Sequence, residues 1–182
     1  MDAGSEDAEA GSRSGREGLG GLDPLTHEPE RARADEGDGA EPGGGNGHDE
    51  CLICGYKNPW SLGLRFESDQ SDGVCGRFTG SPRLQGYEGM LHGGVVAALL
   101  DAAMAHCLFH QGIQGLTGDL HVRFVQPVSC DATLEVRSRV ESAVPPLYYL
   151  RAELLDGERV MAWAKATFMQ RGGRGRSAAG HR

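Results

Sequence analysis

Nowhere does this 182-residue chain carry about 20 uninterrupted apolar residues, the length a helix needs to cross a bilayer. The longest apolar run, Val95–Phe109, is broken by Asp101 and His106, so no membrane partner is expected. The first fifty residues contain no aromatic side chain. They also lack a basic stretch followed by an apolar one, so no secretory signal is expected. What they do hold is fourteen Asp and Glu, only four Arg, and twelve of the 29 glycines. That composition buries too little apolar surface to offset chain entropy. Residues 1–47 therefore read as a disordered, acidic, glycine-rich tail. Residues 171–182, RGGRGRSAAGHR, read as a flexible C-terminal tail. The remaining 48–170 is one domain, long enough for a real core.

Outside the first fifty residues the charge is nearly balanced, 12 acidic against 14 basic. With no basic stripe, nucleic acid is not an expected partner. Five cysteines, at 51, 54, 75, 107 and 130, make an odd number. Without a secretory signal this favours reduced thiols and a cytoplasmic location. Cys51-x-x-Cys54, with His48 and Cys75, has the residue types of a zinc site. A second Cys-x-x-Cys pair is missing, however, so no ligand spacing is fixed and no metal is expected. His106 and His110 stand four apart without a companion carboxylate, and are not expected to bind metal either.

Secondary structure follows from periodicity and punctuation. Leu64–Asp69 and Val74–Phe78 are strand candidates around Asp72-Gly73, a hairpin signal. Cys51–Ser61 reads as a short turn or helix, and 80–91 as a loop. A helix runs from Gly93 to about His110, with Gly112 as its stop. After it come three or four strands. Leu120, Val122 and Phe124 alternate with polar residues; Leu134, Val136 and Val140 mark the next strand; Leu147–Leu155 and Val160–Met169 flank Asp156-Gly157, another hairpin signal. Strand–helix–strand alternation is absent, so the sheet is antiparallel. The fold class is α+β: one long buried helix wrapped by a curved antiparallel sheet.

A helix that is apolar nearly all round is a buried one. Burying an unpaired carboxylate costs several kcal/mol or raises its pKa. Asp101 therefore has a dedicated partner or borders a cavity. His92-Gly93-Gly94 stands directly before the apolar run. Each helical glycine costs about 1 kcal/mol, so the pair implies that something approaches the backbone closely.

The helix segment HGGVVAALLDAAM, then Thr117 and the strand LHVRFVQPV, resembles the hotdog-fold acyl-CoA thioesterases of the phenylacetate-pathway (PaaI-like) type. The opening CLICGYKNPWSLGLRF is similar to the start of many of their uncharacterised members, and the likeness covers about residues 51–170. It implies a metal-free, cofactor-free hydrolase of acyl-CoA thioesters that works as a homodimer or homotetramer. Asp101 matches the family's helix carboxylate, and Gly93 the glycine whose N–H polarises the thioester carbonyl. His92 matches the flanking histidine, and Thr117 a hydroxyl residue near the attacking water. The family usually carries Asn or Gln six residues before the histidine. Gly86 stands there, with Gln85 beside it as the substitute after a one-residue slip. Gly94 and Gln85 are the expected substrate-binding residues.

These roles make chemical sense. The first helical turn has N–H groups without intrahelical acceptors at the positive end of the dipole, a natural oxyanion site. Asp101 would serve as general base or nucleophile. Thr117 would orient water, and His92 would hold the loop or hydrogen-bond near the leaving thiolate. Gly93 and Asp101 are eight residues apart, about 12 Å along a helix. One thioester reaches both only if they come from different chains, which implies a symmetric dimer with two sites. The alternative is a non-catalytic module that binds acyl-CoA. A lone carboxylate in an apolar helix argues against it.

Overall fold

The computed structural model describes residues 47–69 and 72–172. Apart from Gly47, Arg171 and Gly172, the two expected tails lie outside the described residues. The elements are β1 (Phe66–Ser68), β2 (Val74–Thr79), a 3-10 turn at Pro82–Leu84, α1 (Gly93–His110), β3 (Gly115–Phe124), β4 (Thr133–Val144), β5 (Leu147–Asp156) and β6 (Arg159–Gln170). All six strands form one antiparallel sheet in the order β1-β2-β4-β5-β6-β3. This is the hotdog arrangement, a single helix in a curved sheet.

α1 forms where the sequence predicts it. His92 caps its start, and Gly112, at φ +72°, follows its end. Its apolar residues point in all directions because sheet surrounds much of it. Val96, Leu99, Leu100, Met104, Cys107 and Leu108 are almost fully buried. They pack on Val74, Leu134, Val136, Leu150, Leu154 and Phe168 from four strands. Each such side chain contributes about 1.5–3 kcal/mol of burial. Ala162, Ala164 and Ala166 on β6 are buried too, and their small size lets this strand approach the helix. At 18 residues and mean hydropathy 1.4, α1 is long and apolar enough by composition to cross a membrane. In this domain it forms the core.

Of the two alternatives for Cys51–Ser61, turn or helix, the structure shows turns, and β1 is shorter than expected. Leu64 N–H donates to the Ile53 carbonyl, and Arg65 Nη1 donates to the Cys54 carbonyl. These bonds commit the start of the expected strand to the segment before it.

β3 is an edge strand, paired on one side only, with β6. Its inward-facing residues Leu120 and Val122 lie opposite Ala166 and Ala164. Alternation from these would turn Thr117 outward. A bulge intervenes: Thr117 pairs with Phe168 and Asp119 with Thr167, leaving Gly118 as the extra residue. The bulge restores Thr117 to the inner face, opposite the buried Phe168.

Candidate active site

At the helix start, His92 has extended backbone and its Nδ1 accepts the Gly94 N–H at 2.9 Å. The imidazole is thus the N-cap, with its proton on Nε2 if neutral. Gly94 must be glycine for this, since a Cβ there would lie 2.9 Å from His92 Nδ1. The Gly93 N–H, by contrast, has no acceptor among the described residues. It opens on a cavity of about 370 Å³ lined by Gly86, Tyr87, Met90, His92, Gly93 and Pro127, among others. An unsatisfied N–H at a helix N-terminus, beside a partly apolar cavity, can stabilise a developing oxyanion.

Two turns further along, Asp101 is half-buried and accepts a hydrogen bond from Thr117 Oγ1 at 2.8 Å. The bulge in β3 makes that bond possible. Burial pushes the Asp101 carboxyl above its ordinary range, while the Thr117 hydrogen bond and the charge of His48 act in the opposite sense. A carboxylate with a raised pKa and one ordered hydroxyl partner is suited to taking a proton from water or attacking a carbonyl.

The structure therefore brings Asp101 and Thr117 together and groups His92, Gly93 and Gly94 at the helix start. Within one chain it does not bring the two groups together, and the cavity at Gly93 is not lined by Asp101. Gly86 packs under the His92 ring: a Cβ there would meet His92 Cδ2 at 3.1 Å. Gln85 is exposed, and its Oε1 accepts the Gly89 N–H at 3.2 Å. It closes its own turn and is not among the cavity-lining residues. Tyr87 and Met90, which line the cavity, were missed by sequence reasoning because a loop offers no periodicity from which to read a facing side.

The remaining candidates separate clearly. His110 Nδ1 contacts the His106 carbonyl at 2.9 Å, so these two imidazoles do not converge on a common point. His106 stacks on Phe66, with ring centroids 4.4 Å apart, and burial pushes its pKa down to about 4. His48, Cys51 and Cys54 lie together, without Cys75.

Comparison with known proteins agrees with this architecture. Residues 88–162 match the model of the thioesterase superfamily. The matched segment is under half of the chain, and it likens the chain to that superfamily, while the solved structures share its hotdog fold. Among curated proteins, it is similar to the acyl-coenzyme A thioesterase THEM4 of Bos taurus, at 29% identity over 111 residues, 58% of this chain and 45% of the relative. The chain thus spans under half the length of that relative. Among solved structures, the PaaI protein of the E. coli phenylacetic acid degradation operon superposes with a TM-score of 0.58 and 19% identity, covering 62% of this chain and 82% of that one. A thioesterase protein from Streptococcus pneumoniae TIGR4, solved with coenzyme A, gives 0.57 and 18%, covering 61% and 90%. The pneumococcal protein has also been solved with an aspartate, and separately with a threonine 16 positions later, replaced by alanine.

Proposed function

We propose that the protein is an acyl-CoA thioesterase, hydrolysing a thioester to free acid and CoA. The observation that carries this reading is the Asp101–Thr117 pair at 2.8 Å on a buried helix, in the same fold as an uncapped Gly93 N–H facing a cavity. The thioester carbonyl accepts from Gly93 N–H, and the acyl and pantetheine arms run through the cavity and out past Tyr87. Asp101 delivers water as general base, or attacks the carbonyl itself and is then freed by water. Thr117 holds the carboxylate, and the thiolate leaves toward solvent near His92. The bound coenzyme A in the pneumococcal neighbour supports the ligand class. Its mutated aspartate and threonine have the 16-residue spacing of Asp101 and Thr117, which supports the site.

The site is completed by a second chain. Gly93 and Asp101 are about 12 Å apart along α1, whereas a reacting carbonyl must lie about 3 Å from both groups. β3 is an edge strand, paired on one side only among the described residues, with Leu116 and Phe124 exposed. An apolar edge of this length is a template for pairing. Two copies joined at β3 lay their helices antiparallel and bring Gly93 of one opposite Asp101 of the other. A homodimer, alone or paired into a tetramer, working in the cytoplasm on a soluble acyl-CoA fits this reading.

The test is a hydrolysis screen of the purified full-length protein across short, long and aromatic acyl-CoAs, read by thiol release. Turnover of at least one substrate well above the uncatalysed rate is expected. Tight binding of acyl-CoA with no turnover of any would replace this reading with that of a binding module.

A further inference from the structure

A second cluster stands apart from the cavity, where the segment before β1 crosses the far half of α1. His48 Nδ1, Cys51 Sγ and Cys54 Sγ all lie within 4.8 Å of one another, and Cys54 Sγ is 3.9 Å from His48 Nδ1. Tetrahedral zinc, with Zn–S of about 2.3 Å and Zn–N of about 2.0–2.1 Å, sets neighbouring ligand atoms about 3.5–3.8 Å apart. The three atoms are therefore within tenths of an ångström to about 1 Å of that spacing, without rearrangement of the backbone.

The backbone is shaped for the same end. Ile53 N–H points at Cys51 Sγ, 3.4 Å away, and Gly55 N–H closes the turn on the Cys51 carbonyl at 2.9 Å. An N–H aimed at sulfur stabilises a thiolate more than a thiol. Gly55 is dictated by the tightness of the turn, since a Cβ there would lie 2.3 Å from the Cys51 nitrogen and 2.5 Å from the Asp49 carbonyl oxygen. Arg65 Nη1 holds the Cys54 carbonyl at 2.8 Å, fixing the second cysteine from outside. The cluster is also anchored on the helix: the His48 ring sits edge-on to Phe109 at 4.6 Å and to His106 at 6.4 Å. Cys54 is buried, and His48 and Cys51 are half-buried.

We propose that His48, Cys51 and Cys54 bind one zinc ion, with water in the fourth position, and that the ion clamps the 48–64 segment onto α1. Two thiolates and an imidazole are the soft and borderline donors that select zinc over magnesium or calcium. The two thiol protons go to solvent on binding. The role is structural: the ion ties the segment to the helix and does not line the cavity at Gly93, and toward Asp101 the cluster acts only through the charge of His48. The proposal does not rest on the thioesterase reading, and either can fail alone.

The experiment uses untagged full-length protein purified in reductant. Elemental analysis is expected to find about one zinc per chain, and chelation to lower the Tm. Cobalt(II) titrated into the chelated protein should give tetrahedral visible bands and a sulfur-to-cobalt charge-transfer band, saturating at one equivalent. Cys51→Ser and Cys54→Ser should each abolish the charge-transfer signature or weaken it by about half, whereas Cys75→Ser should leave it intact. Should either serine variant fail to fold, the wild-type titration still decides. Absence of both zinc and tetrahedral cobalt bands would overturn the proposal, as would bands unchanged in Cys51→Ser and Cys54→Ser. A Cys51–Cys54 disulfide persisting in reductant would do the same.

Discussion

Replacing Asp101 with Asn separates chemistry from folding. The amide oxygen still accepts the Thr117 hydroxyl, so the 2.8 Å contact has a substitute partner. What is lost is the ability to accept a proton or form an acyl bond. General-base catalysis is worth about 10²- to 10⁴-fold, or about 2.7–5.4 kcal/mol of barrier at 1.36 kcal/mol per tenfold. Stability should move the other way. Burial raises the Asp101 pKa in the folded chain and outweighs the opposing hydrogen bond from Thr117. The folded state thus binds more protons than the unfolded state between the two pKa values. The stabilising contribution is complete below the unfolded value and is lost as pH rises through the folded one. At neutral pH the ionised carboxylate is therefore a net cost that the neutral amide removes. Thiol-release kinetics on the best acyl-CoA, beside thermal melts at pH 7 and near pH 4, measure both effects. Expected are a kcat lower by 10²-fold or more, a Tm at pH 7 equal to or above that of wild type, and a smaller Tm gap at low pH. Wild-type turnover would refute the catalytic role. Lost turnover with a Tm several degrees lower at pH 7 would refute the electrostatic argument and make Asp101 a structural residue.

Thr117→Val removes a hydrogen bond that favours the ionised carboxylate; the acidic limb of kcat/KM against pH should move to higher pH, and an unmoved limb would detach Thr117 from the base. Gly93→Pro deletes the proposed oxyanion donor at the first helical position, where proline is tolerated, after a residue already extended at φ −63° and ψ 133°. Each parent homodimer, Gly93→Pro or Asp101→Asn, should be nearly dead, while an isolated heterodimer of the two should regain about half the wild-type activity, since one of its two sites holds neither change. A heterodimer as inactive as its parents would place both groups in one chain's site. Leu116→Asp puts a charge on the exposed β3 edge, where Leu116 is 61% accessible; by sedimentation and assay it should yield a monomer without thioesterase activity, and an active monomer would dismiss the shared site.

The helix was readable because its signals are local. The stop at Gly112 and the apolar run before it mark Gly93–His110 without reference to anything distant. The later strands were readable for the same reason, from alternation between Gly and Pro punctuation. β1 was overextended because Leu64 and Arg65 are held by Ile53 and Cys54, a long-range commitment that no strand propensity records. The Asp101–Thr117 pair was reached through family likeness alone. Strict alternation from Leu120 points Thr117 away from the helix, and only the register of β3 against β6 reveals the bulge. Gln85 shows the converse. Its residue type suited the loop slot, yet its side chain closes its own turn on Gly89. The convergence of His48 on Cys51 and Cys54 was not legible because a single Cys-x-x-Cys fixes no third ligand; it becomes visible only in the folded turn.

Gly118 gives β3 a parity that depends on the bulge it occupies. The bulge offsets every position before it by one from every position after it. Many substitutions in Leu120–Phe124 would leave the facing of Thr117 unchanged. Loss of one codon at Gly118 would remove only the extra residue: plain alternation would then run Leu120 inward, Asp119 outward and Thr117 inward, the facing it already has. Drawing Gly118 into the regular ladder without losing a residue would do the opposite, turning Thr117 to the outer face and taking from Asp101 the hydroxyl that now holds it. For descendants of this chain, a substitution that straightens the bulge is therefore a shorter path to an inert but folded domain than a deletion of Gly118.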